Sequence, residues 1–266
     1  MPPTCLPLLA APANQCYPMS DELDRPSDRV ASPSSAGETP APVGSDSFGC
    51  RPEHGLRAGA GGPIDAAERA RADRTTRYLD TSRGILSYSE VAPLLAEQVV
   101  RLEARIYEGA FADRSLDENL AAEFHRSICA DLVPDWAGRW RNVEVRVGNL
   151  LPPLPSHVPL RMRDFGRDLV ARWSQASAVT GDLTLEFLAF AEGRFLSIHP
   201  FQDFNGRTVR LFLLEILRRL DLPRVVLAPE TDQAREEYFV ALEAAARADW
   251  RPLMQIWADR FSQAEV

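Results

Sequence analysis

Residues 199–210 read His-Pro-Phe-Gln-Asp-Phe-Asn-Gly-Arg-Thr-Val-Arg and lie between two strongly apolar stretches of the chain. The pattern predicts a helix over 183–196, after a cap at Asp182, that is apolar almost all round and therefore lies in a core. A second helix is predicted from near Gly206 until Pro223 stops it. The segment 199–210 is thus a polar connection between two buried helices.

The second half of this segment has the features of an anion site. A turn containing Asn205 and Gly206 at the start of a helix points backbone N–H groups outward, and the helix dipole adds partial positive charge. Arg207 and Arg210 are three residues apart, so both project from one face of the first helical turns. Their guanidinium groups can fork around phosphate oxygens. We therefore expect a phosphate-binding loop here.

Two further side chains add chemistry to this loop. His199 can be neutral at pH 7 and accept a proton from an attacking hydroxyl. Asp203 in a phosphate site suggests a magnesium ligand, because Mg²⁺ takes one or two carboxylates together with substrate phosphates. Each feature alone is more often structural. Seven specified positions at an average usage of about 5% each, however, coincide by chance about once in 10⁹ placements.

Outside this segment the chain is mainly helical, with one interruption. Periodic apolar residues predict further helices at 91–107, 115–130, 161–175, 232–247 and 250–262, and a polar, arginine-rich helical stretch at 66–78. The segment 143–159, called the flap below, interrupts the helical pattern, because it contains alternating valines, a Gly-Asn turn and three prolines. It predicts a short β-hairpin. Residues 1–63 are rich in Pro, Ser, Ala and Gly and predict a disordered tail before a domain at 64–266.

Composition restricts the partners and the location. The formal net charge of −8 argues against general nucleic-acid binding, which needs a basic surface. No apolar run approaches the length of a membrane span, and the four cysteines have no metal-ligand spacing. The apolar stretch near the N-terminus lacks the basic residues of a signal peptide. We expect a cytoplasmic protein with neither nucleic acid nor membrane as partner, and export as an effector stays open.

The segment 199–210 resembles the signature of the Fic/Doc family, His-Pro-Phe-x-Asp/Glu-Gly-Asn-Gly-Arg-x-x-Arg. Every specified position matches except one, where the family has Gly and this chain has Phe204. Upstream, His125-Arg126 and the run at 136–141, Trp-Ala-Gly-Arg-Trp-Arg, are similar to the helix and turn that precede the family's flap. The likeness extends over roughly residues 100–260. It implies a mainly α fold, a Fic-type helical bundle with a small β-hairpin flap.

The resemblance also implies an activity, protein adenylyltransferase, with ATP and Mg²⁺ as cofactors. His199 would deprotonate a Tyr, Thr or Ser hydroxyl of a target protein held by the flap. Asp203 would hold magnesium on the ATP phosphates. Arg207 would act both in binding and in catalysis. The nucleotide-binding residues would be Phe201, as the anchor of the loop in the core, Asn205, Gly206, Arg207 and Arg210.

Many members of the family are restrained by a helix of the form Ser/Thr-x-x-x-Glu-Gly/Asn. Residues 104–109 have the Glu-Gly end but carry Ala104 where a hydroxyl belongs. Glu108 is therefore an inhibitory candidate that would pair with Arg210, and its alternative is an exposed residue before a Gly C-cap. An antitoxin or other inhibitory partner, in the manner of family toxins, is a further expectation from the resemblance.

Phe204 keeps alternatives open. Glycine tolerates positive φ and close approach of a ligand, whereas an aromatic ring must turn away or narrow the site. Besides AMP transfer, the same fold could support a Doc-like protein kinase or another phosphate-linked transfer. A catalytically weak member that acts by binding is the third alternative. Arg207 favours AMP transfer over the Doc-like reading, and the intact His199 and Asp203 speak against a pure binder.

Overall fold

The computed structural model describes residues 78–148, 150–176 and 181–264. The predicted tail at 1–63 lies outside them, as does the predicted helix at 66–78 apart from Tyr78. The described residues form two strands and seven α-helices: β1 (Tyr78–Thr81), β2 (Gly84–Ser87), α1 (Tyr88–Tyr107), α2 (Glu118–Cys129), α3 (Val158–Trp173), α4 (Asp182–Ile198), α5 (Asn205–Arg219), α6 (Asp232–Ala246) and α7 (Arg251–Ala264). A short 3₁₀ turn at Pro155–His157 leads into α3.

The two strands form an antiparallel hairpin directly before α1, where no strand was expected from the sequence. Tyr78 pairs with Ser87, and Thr81 pairs with Gly84 across the turn. Gly84 has φ of +96°, which is readily accessible to glycine, and the Thr81 hydroxyl donates to the Gly84 carbonyl at 2.7 Å. The hairpin then passes directly into α1 at Ser87.

Local capping chemistry sets several helix starts. The Glu90 carboxylate accepts hydrogen bonds from the Ser87 N–H and hydroxyl, the reciprocal arrangement of a capping box. Asp117 accepts from the N–H groups of Asn119 and Leu120, so α2 begins at Glu118 and not at 115 as predicted. Thr231 caps α6 in the same way. These caps stabilise helix starts that apolar periodicity alone places only roughly.

Helix α4 is the centre of the bundle, as its apolar surface predicts. It packs against α3, α5, α6 and α7, and its buried residues include Phe187, Phe190 and Phe195. Gly193 permits the close approach of α6, because a Cβ there would lie 2.7 Å from the Ala245 Cβ. The predicted cap at Asp182 is wrong in detail, since Gly181 occupies the cap position and Asp182 is the first helical residue.

The remaining predicted helices are present with shifted ends. Helix α3 begins at Val158, three residues earlier than predicted, because a proline such as Pro159 is tolerated in the first helical turn. Helices α5, α6 and α7 lie within a few residues of their predicted ranges. None of the helices in the described part of the chain has the length and apolar character that crossing a membrane requires.

Candidate active site

The segment that resembles the family signature forms a tight loop, residues 199–205, between the central helix α4 and the start of α5. Its two ends have left-handed backbone conformations, with φ of 49° at His199 and 60° at Phe204. Such conformations are unfavourable for residues other than glycine by roughly 1–2 kcal/mol. His199 ends α4 and Phe204 precedes the first residue of α5, so the motif loop reverses the chain between two buried helices.

His199 lies at the C-terminal end of α4 and is almost completely buried. Burial is the main cause that lowers its pKa, from 6.5 to about 3. The positive charge of Arg141 lowers it further, and a hydrogen bond with the Leu196 backbone opposes the shift. The imidazole is therefore neutral at physiological pH, which is the protonation state that a proton acceptor needs.

The side chain of Asn205 forms hydrogen bonds with the backbone of the motif loop. Its Oδ1 accepts from the Phe201 N–H and its Nδ2 donates to the Phe201 carbonyl, both at 2.9 Å. The side chain is fully buried. Asn205 was expected to line an anion hole together with Gly206. The structure instead shows its amide engaged with the backbone of the loop, so its observed role is to hold the loop's shape.

The side chain of His125, in α2, hydrogen-bonds to the backbone of the motif loop and to the backbone of the turn that follows α2. Its Nε2 lies 3.2 Å from the Asp203 carbonyl oxygen, and its Nδ1 accepts from the Gly138 N–H at 2.8 Å. Nδ1 is thus an acceptor, which leaves Nε2 to donate to the carbonyl. Burial lowers the pKa of His125 to about 3, with the Asp203 hydrogen bond opposing. Gly138 is needed because a Cβ there would approach the Ala122 carbonyl oxygen to 2.8 Å.

Aromatic rings fix the two phenylalanines of the loop. Phe201 stacks on His125 with ring centroids 3.8 Å apart and an interplanar angle of 10°, which fits its expected role as an anchor. Phe204 is 0% exposed and stacks on Trp136 at 5.7 Å. The ring that replaces the signature glycine is therefore directed into the core against α2 and the turn that follows it. It does not project from the loop into solvent.

The arginines of the motif occupy the first two turns of α5. Arg207 is buried, and its Cζ lies 5.8 Å from the centroid of the Phe204 ring, within the range of a cation–π contact. Arg210 is half-buried one turn further on, and its charge acts on the pKa of Tyr238. Gly206, the second residue of α5, is also buried. This brings Asn205, Gly206, Arg207 and Arg210 to one helix start, as predicted.

Asp203 provides a single carboxylate at this helix start. Its Oδ1 accepts from the Phe204 N–H at 2.8 Å, and the residue is buried beneath the loop surface. Among the described residues no three His, Cys, Asp or Glu side chains form a self-sufficient metal cage. One carboxylate, with the other ligands supplied by the phosphates of a nucleotide and by water, is nevertheless a donor set that Mg²⁺ commonly uses. The residues present therefore fit magnesium that arrives with a nucleotide.

The flap differs from the predicted hairpin. Its only described pairing is one antiparallel bridge between Val147 and Leu150, around Gly148 with φ of +55°. The other flap residues that the structure describes before the 3₁₀ turn are irregular, since prolines at 152, 153 and 155 remove backbone donors. Leu151 is 76% exposed and Leu154 is also exposed. The prediction of a turn is correct, and the prediction of regular strands is not.

Glu108 lies at the C-terminal end of α1 and is exposed. The adjacent Gly109 has φ of +77°. A Cβ placed on Gly109 would lie 3.8 Å from Nη1 of Arg218, in the last turn of α5. Arg218 is eight residues beyond Arg210, about 12 Å along a helix that rises 1.5 Å per residue. This placement does not support the predicted pairing of Glu108 with Arg210. It matches the alternative, a helix-terminal residue before a glycine.

Sequence reasoning missed a buried ionic cluster behind the site. Glu192 of α4 is 0% exposed and accepts from the Tyr238 hydroxyl at 2.6 Å and from Arg260 at 2.9 Å. Burial, together with the negative charge of Glu192, raises the pKa of Tyr238 well above 10. The available signal was the position of the Glu192 carboxylate in a strongly apolar helix, between Phe190 and Phe195. The cluster joins α4, α6 and α7 and therefore supports the helix that carries His199.

Two cavities of the described structure lie apart from the motif loop. One of about 300 Å³ is lined mainly by residues 226–237 and by α7, and one of about 390 Å³ is lined by residues 112–116, the end of α3 and Arg219. No residue of the segment 199–210 lines either cavity. The candidate catalytic groups therefore lie on the motif loop and not in either cavity.

Comparison with known proteins agrees with this geometry. The sequence model of the Fic/DOC family matches residues 115–217, which contain α2 to α5 without the last two residues of α5, the flap and the motif loop. Protein adenylyltransferase fic-1 of Caenorhabditis elegans is 35% identical over 153 residues, which cover 57% of this chain and 28% of the relative. This chain therefore spans only about a quarter of that relative's length.

Solved structures show the same fold. The BepC protein of Bartonella tribocorum, a VirB-translocated effector solved with bound AMPPNP, superimposes with a TM-score of 0.55 at 16% identity, covering 70% of this chain and 92% of that one. A Fic-domain signaling protein of Bacteroides thetaiotaomicron gives 0.51 at 18% identity, with 66% and 69% covered. The expected Fic-type helical bundle is thereby confirmed. Residues 115–217 are the part of this chain that is similar to the Fic/DOC family.

Proposed function

We propose that this chain transfers AMP from ATP to a hydroxyl side chain of a target protein. The observation that carries the proposal is a buried, neutral histidine, His199, at the edge of a loop whose far end starts a helix bearing Arg207 and Arg210. A proton acceptor and an anion-binding helix start are thus held on one short, rigid loop. The relatives named protein adenylyltransferase support the same reaction.

In this proposal His199 is the general base for a Tyr, Thr or Ser hydroxyl. The target oxygen attacks the α-phosphorus of ATP as its proton passes to His199, the bond from that phosphorus to the bridging oxygen breaks, and pyrophosphate leaves. A pKa of about 3 keeps the ring neutral but makes it a weak base. A bound triphosphate would raise the pKa toward neutrality, because nearby negative charge favours the protonated ring.

The start of α5 is the proposed phosphate site. The first turn of a helix directs its N–H groups and the positive end of its dipole toward an anion, and Gly206 allows close approach of that anion to the backbone. Arg207 and Arg210 would bind the phosphate oxygens, Arg207 also supporting the charge that develops in the transition state. Asp203 would hold Mg²⁺, which when bound neutralises phosphate charge.

The flap is the proposed binding site for the target. An extended target segment could add as a strand beside the bridge at Val147 and Leu150, with main-chain hydrogen bonds that do not depend on its sequence. The exposed Leu151 and Leu154 offer apolar contacts for the target's side chains. Such a clamp would set the hydroxyl in line with the α-phosphate, and positioning of this kind is a large part of catalysis.

The position of Phe204 supports AMP transfer over a Doc-like kinase reaction. Its ring stacks on Trp136 and is fully buried, so it takes no space on the outer side of the loop. The backbone at Phe204 has the left-handed conformation that suits glycine, so the loop keeps a glycine-like shape despite the substitution. The nucleotide can then lie as it would with glycine at this position.

Labelled ATP tests the proposal directly. The purified chain is incubated with Mg²⁺, cell lysate and ATP labelled at the α or the γ phosphate. Label from the α phosphate on protein is the expected result. Label from the γ phosphate alone would replace the proposal with a kinase reaction, and absence of both labels, with ATP binding intact, would leave a binding function. The variant His199→Ala provides the matched control for background labelling.

A further inference from the structure

The side chain of Arg141 connects the flap to the motif loop. Its Nε donates to the His199 carbonyl at 2.7 Å, and one Nη donates to the Val143 carbonyl at 3.0 Å. The other Nη donates to the Pro153 carbonyl at 2.6 Å and lies 3.4 Å from the Ile198 carbonyl. Arg141 is only 4% exposed. One buried guanidinium thus bonds to three separate stretches of backbone.

The backbone of Arg141 also forms a hydrogen bond with the motif loop. Its N–H donates to the Pro200 carbonyl at 2.9 Å. The carbonyls of three consecutive residues, 198 to 200, therefore all face this one arginine. They form the C-terminal end of α4, where the helix dipole is negative and favours a cation. This explains how backbone carbonyl oxygens accommodate a guanidinium in the interior, and the negative charge of Glu144 also favours it.

The two flap residues that Arg141 holds lie on either side of the turn in the flap. Val143 precedes this turn and Pro153 follows it, and the turn has one bridge of its own, Val147 to Leu150. The third point, the His199 carbonyl, belongs to the residue whose side chain is the proposed base. The planar, forked guanidinium therefore fixes the spacing between both ends of the flap and the backbone of His199.

We propose that Arg141 is a positioning residue that sets the flap, and with it a bound target segment, at a fixed distance from the His199 imidazole. The catalytic consequence rests on the proposed function, whereas the mechanical tie rests only on these contacts. Arg141 also holds His199 in its left-handed backbone conformation, with φ of 49° and ψ of 65°. Loss of the tie would let flap and base move independently without removing the nucleotide site at α5.

The substitution Arg141→Lys tests the tie, with Arg139→Lys as its matched control. Lysine keeps the charge but has a single nitrogen, which cannot bond to carbonyls on three stretches at once. Arg139 lies two residues earlier and is exposed, so the same chemical change there leaves these contacts intact. Arg141→Gln, which removes the charge, is the second variant and provides a readout if the lysine variant folds poorly.

Hydrogen exchange of the full chain is the first measurement and does not depend on any activity. We expect amide exchange in residues 142–154 to rise about tenfold in Arg141→Lys, as expected for the loss of one or two net hydrogen bonds, while α4 and α5 keep their protection. Arg139→Lys should match the unsubstituted chain. Unchanged flap exchange in both Arg141 variants, or an equal rise throughout the bundle, would overturn the proposal.

Transfer kinetics are the second measurement. We expect kcat for target labelling to fall about 10²-fold in Arg141→Lys, a loss typical of a misplacement near 1 Å, with KM for ATP within about twofold of the unsubstituted value. A matching loss of ATP affinity, or full activity in Arg141→Lys, would refute a positioning role. If the unsubstituted chain transfers nothing, the proposed function fails while hydrogen exchange still decides whether the tie exists.

Discussion

The motif loop and the flap are adjacent through Arg141, yet they are stabilised in opposite ways. In the motif loop, side chains satisfy the backbone from inside: Asn205 bonds to Phe201 at two points and His125 to the Asp203 carbonyl. The flap has one bridge, one exposed bond from Arg146 to the Gly148 carbonyl and the buried contacts of Arg141, and its Leu151 is largely exposed. One region is a part of the core and the other lies on the surface.

The rigid motif loop suits the proposed chemistry, and the exposed flap suits the proposed recognition of a target. A base and a phosphate site need fixed geometry, which buried, hydrogen-bonded residues on rigid elements provide. A segment that accepts a target chain benefits from exposed apolar groups and unpaired backbone, which are found where local stability is low. We therefore expect substitutions in the motif loop to act on reaction rate or stability, and substitutions in the flap to act on target binding.

The largest expected effect is that of His199→Ala. Loss of a general base commonly costs 10² to 10⁴ in rate, and ATP binding at the start of α5 should persist. The flap substitution Leu151→Ser is the comparison, and it should raise KM for the target with little change in kcat. Steady-state labelling with varied target concentration measures both. Equal kcat losses at the two positions would break the division between the regions.

Acid should destabilise the motif loop more than the flap. The pKa values of His125 and His199 are about 3 in the folded chain, below the ordinary 6.5 expected when it unfolds. Protons then bind preferentially to the unfolded chain, so stability is complete above pH 6.5 and is lost as the pH falls toward 3. Each histidine accounts for about 2 kcal/mol between pH 7 and 5.

Urea unfolding at several pH values measures this loss. The variant His125→Gln should show about half of the acid-dependent decrease, because one of the two buried rings is gone. A decrease of the same size in the His125 variant and in the unsubstituted chain would mean that other groups cause the acid sensitivity.

The two helices around the site and the content of the motif loop could be predicted from sequence, because they follow from local patterns. Apolar periodicity located α4 and α5, and the turn with its flanking charged residues marked the loop. The supporting contacts could not be predicted in this way. His125 reaches Asp203 across 78 residues and Arg141 reaches His199 across 58, and no spacing rule connects such partners.

The β-hairpin and the flap show a second limit of sequence reasoning. Strands β1 and β2 have four residues each, too few for an alternating pattern to stand out, although Gly84 was a usable turn signal. In the flap, alternating valines predicted strands, but pairing needs a neighbour with free N–H groups, and Pro152, Pro153 and Pro155 cannot supply them. An alternating sequence pattern indicates a strand, but it does not identify the strand with which that segment would pair.

Phe204→Gly should lower stability by about 1–4 kcal/mol and leave the transferred group unchanged. Loss of a buried phenylalanine costs about 3–5 kcal/mol, and relief of the left-handed conformation returns about 1–2. Phe204→Ala should be no more stable than Phe204→Gly, a reversal of the usual order, because alanine keeps the unfavourable φ of 60°. Thermal unfolding and α-labelled ATP measure both effects, and a switch to γ-label transfer would contradict the structural reading of Phe204.

The smallest expected effect is that of Glu108→Gly, which lies in neither region. An inhibitory glutamate would have to reach Arg210, and its removal would raise self-labelling. Glu108 instead ends α1 beside the last turn of α5, about 12 Å along that helix from Arg210. We therefore expect self-labelling within about twofold of the unsubstituted chain. The stability change should be about 1 kcal/mol or less, because the residue is exposed and glycine costs only about 1 kcal/mol even in a helix interior. Glu97→Gly, an exposed position earlier in α1, controls for the glycine itself. A rise in self-labelling confined to the Glu108 variant would show that Glu108 restrains the site through a contact made only when nucleotide is bound.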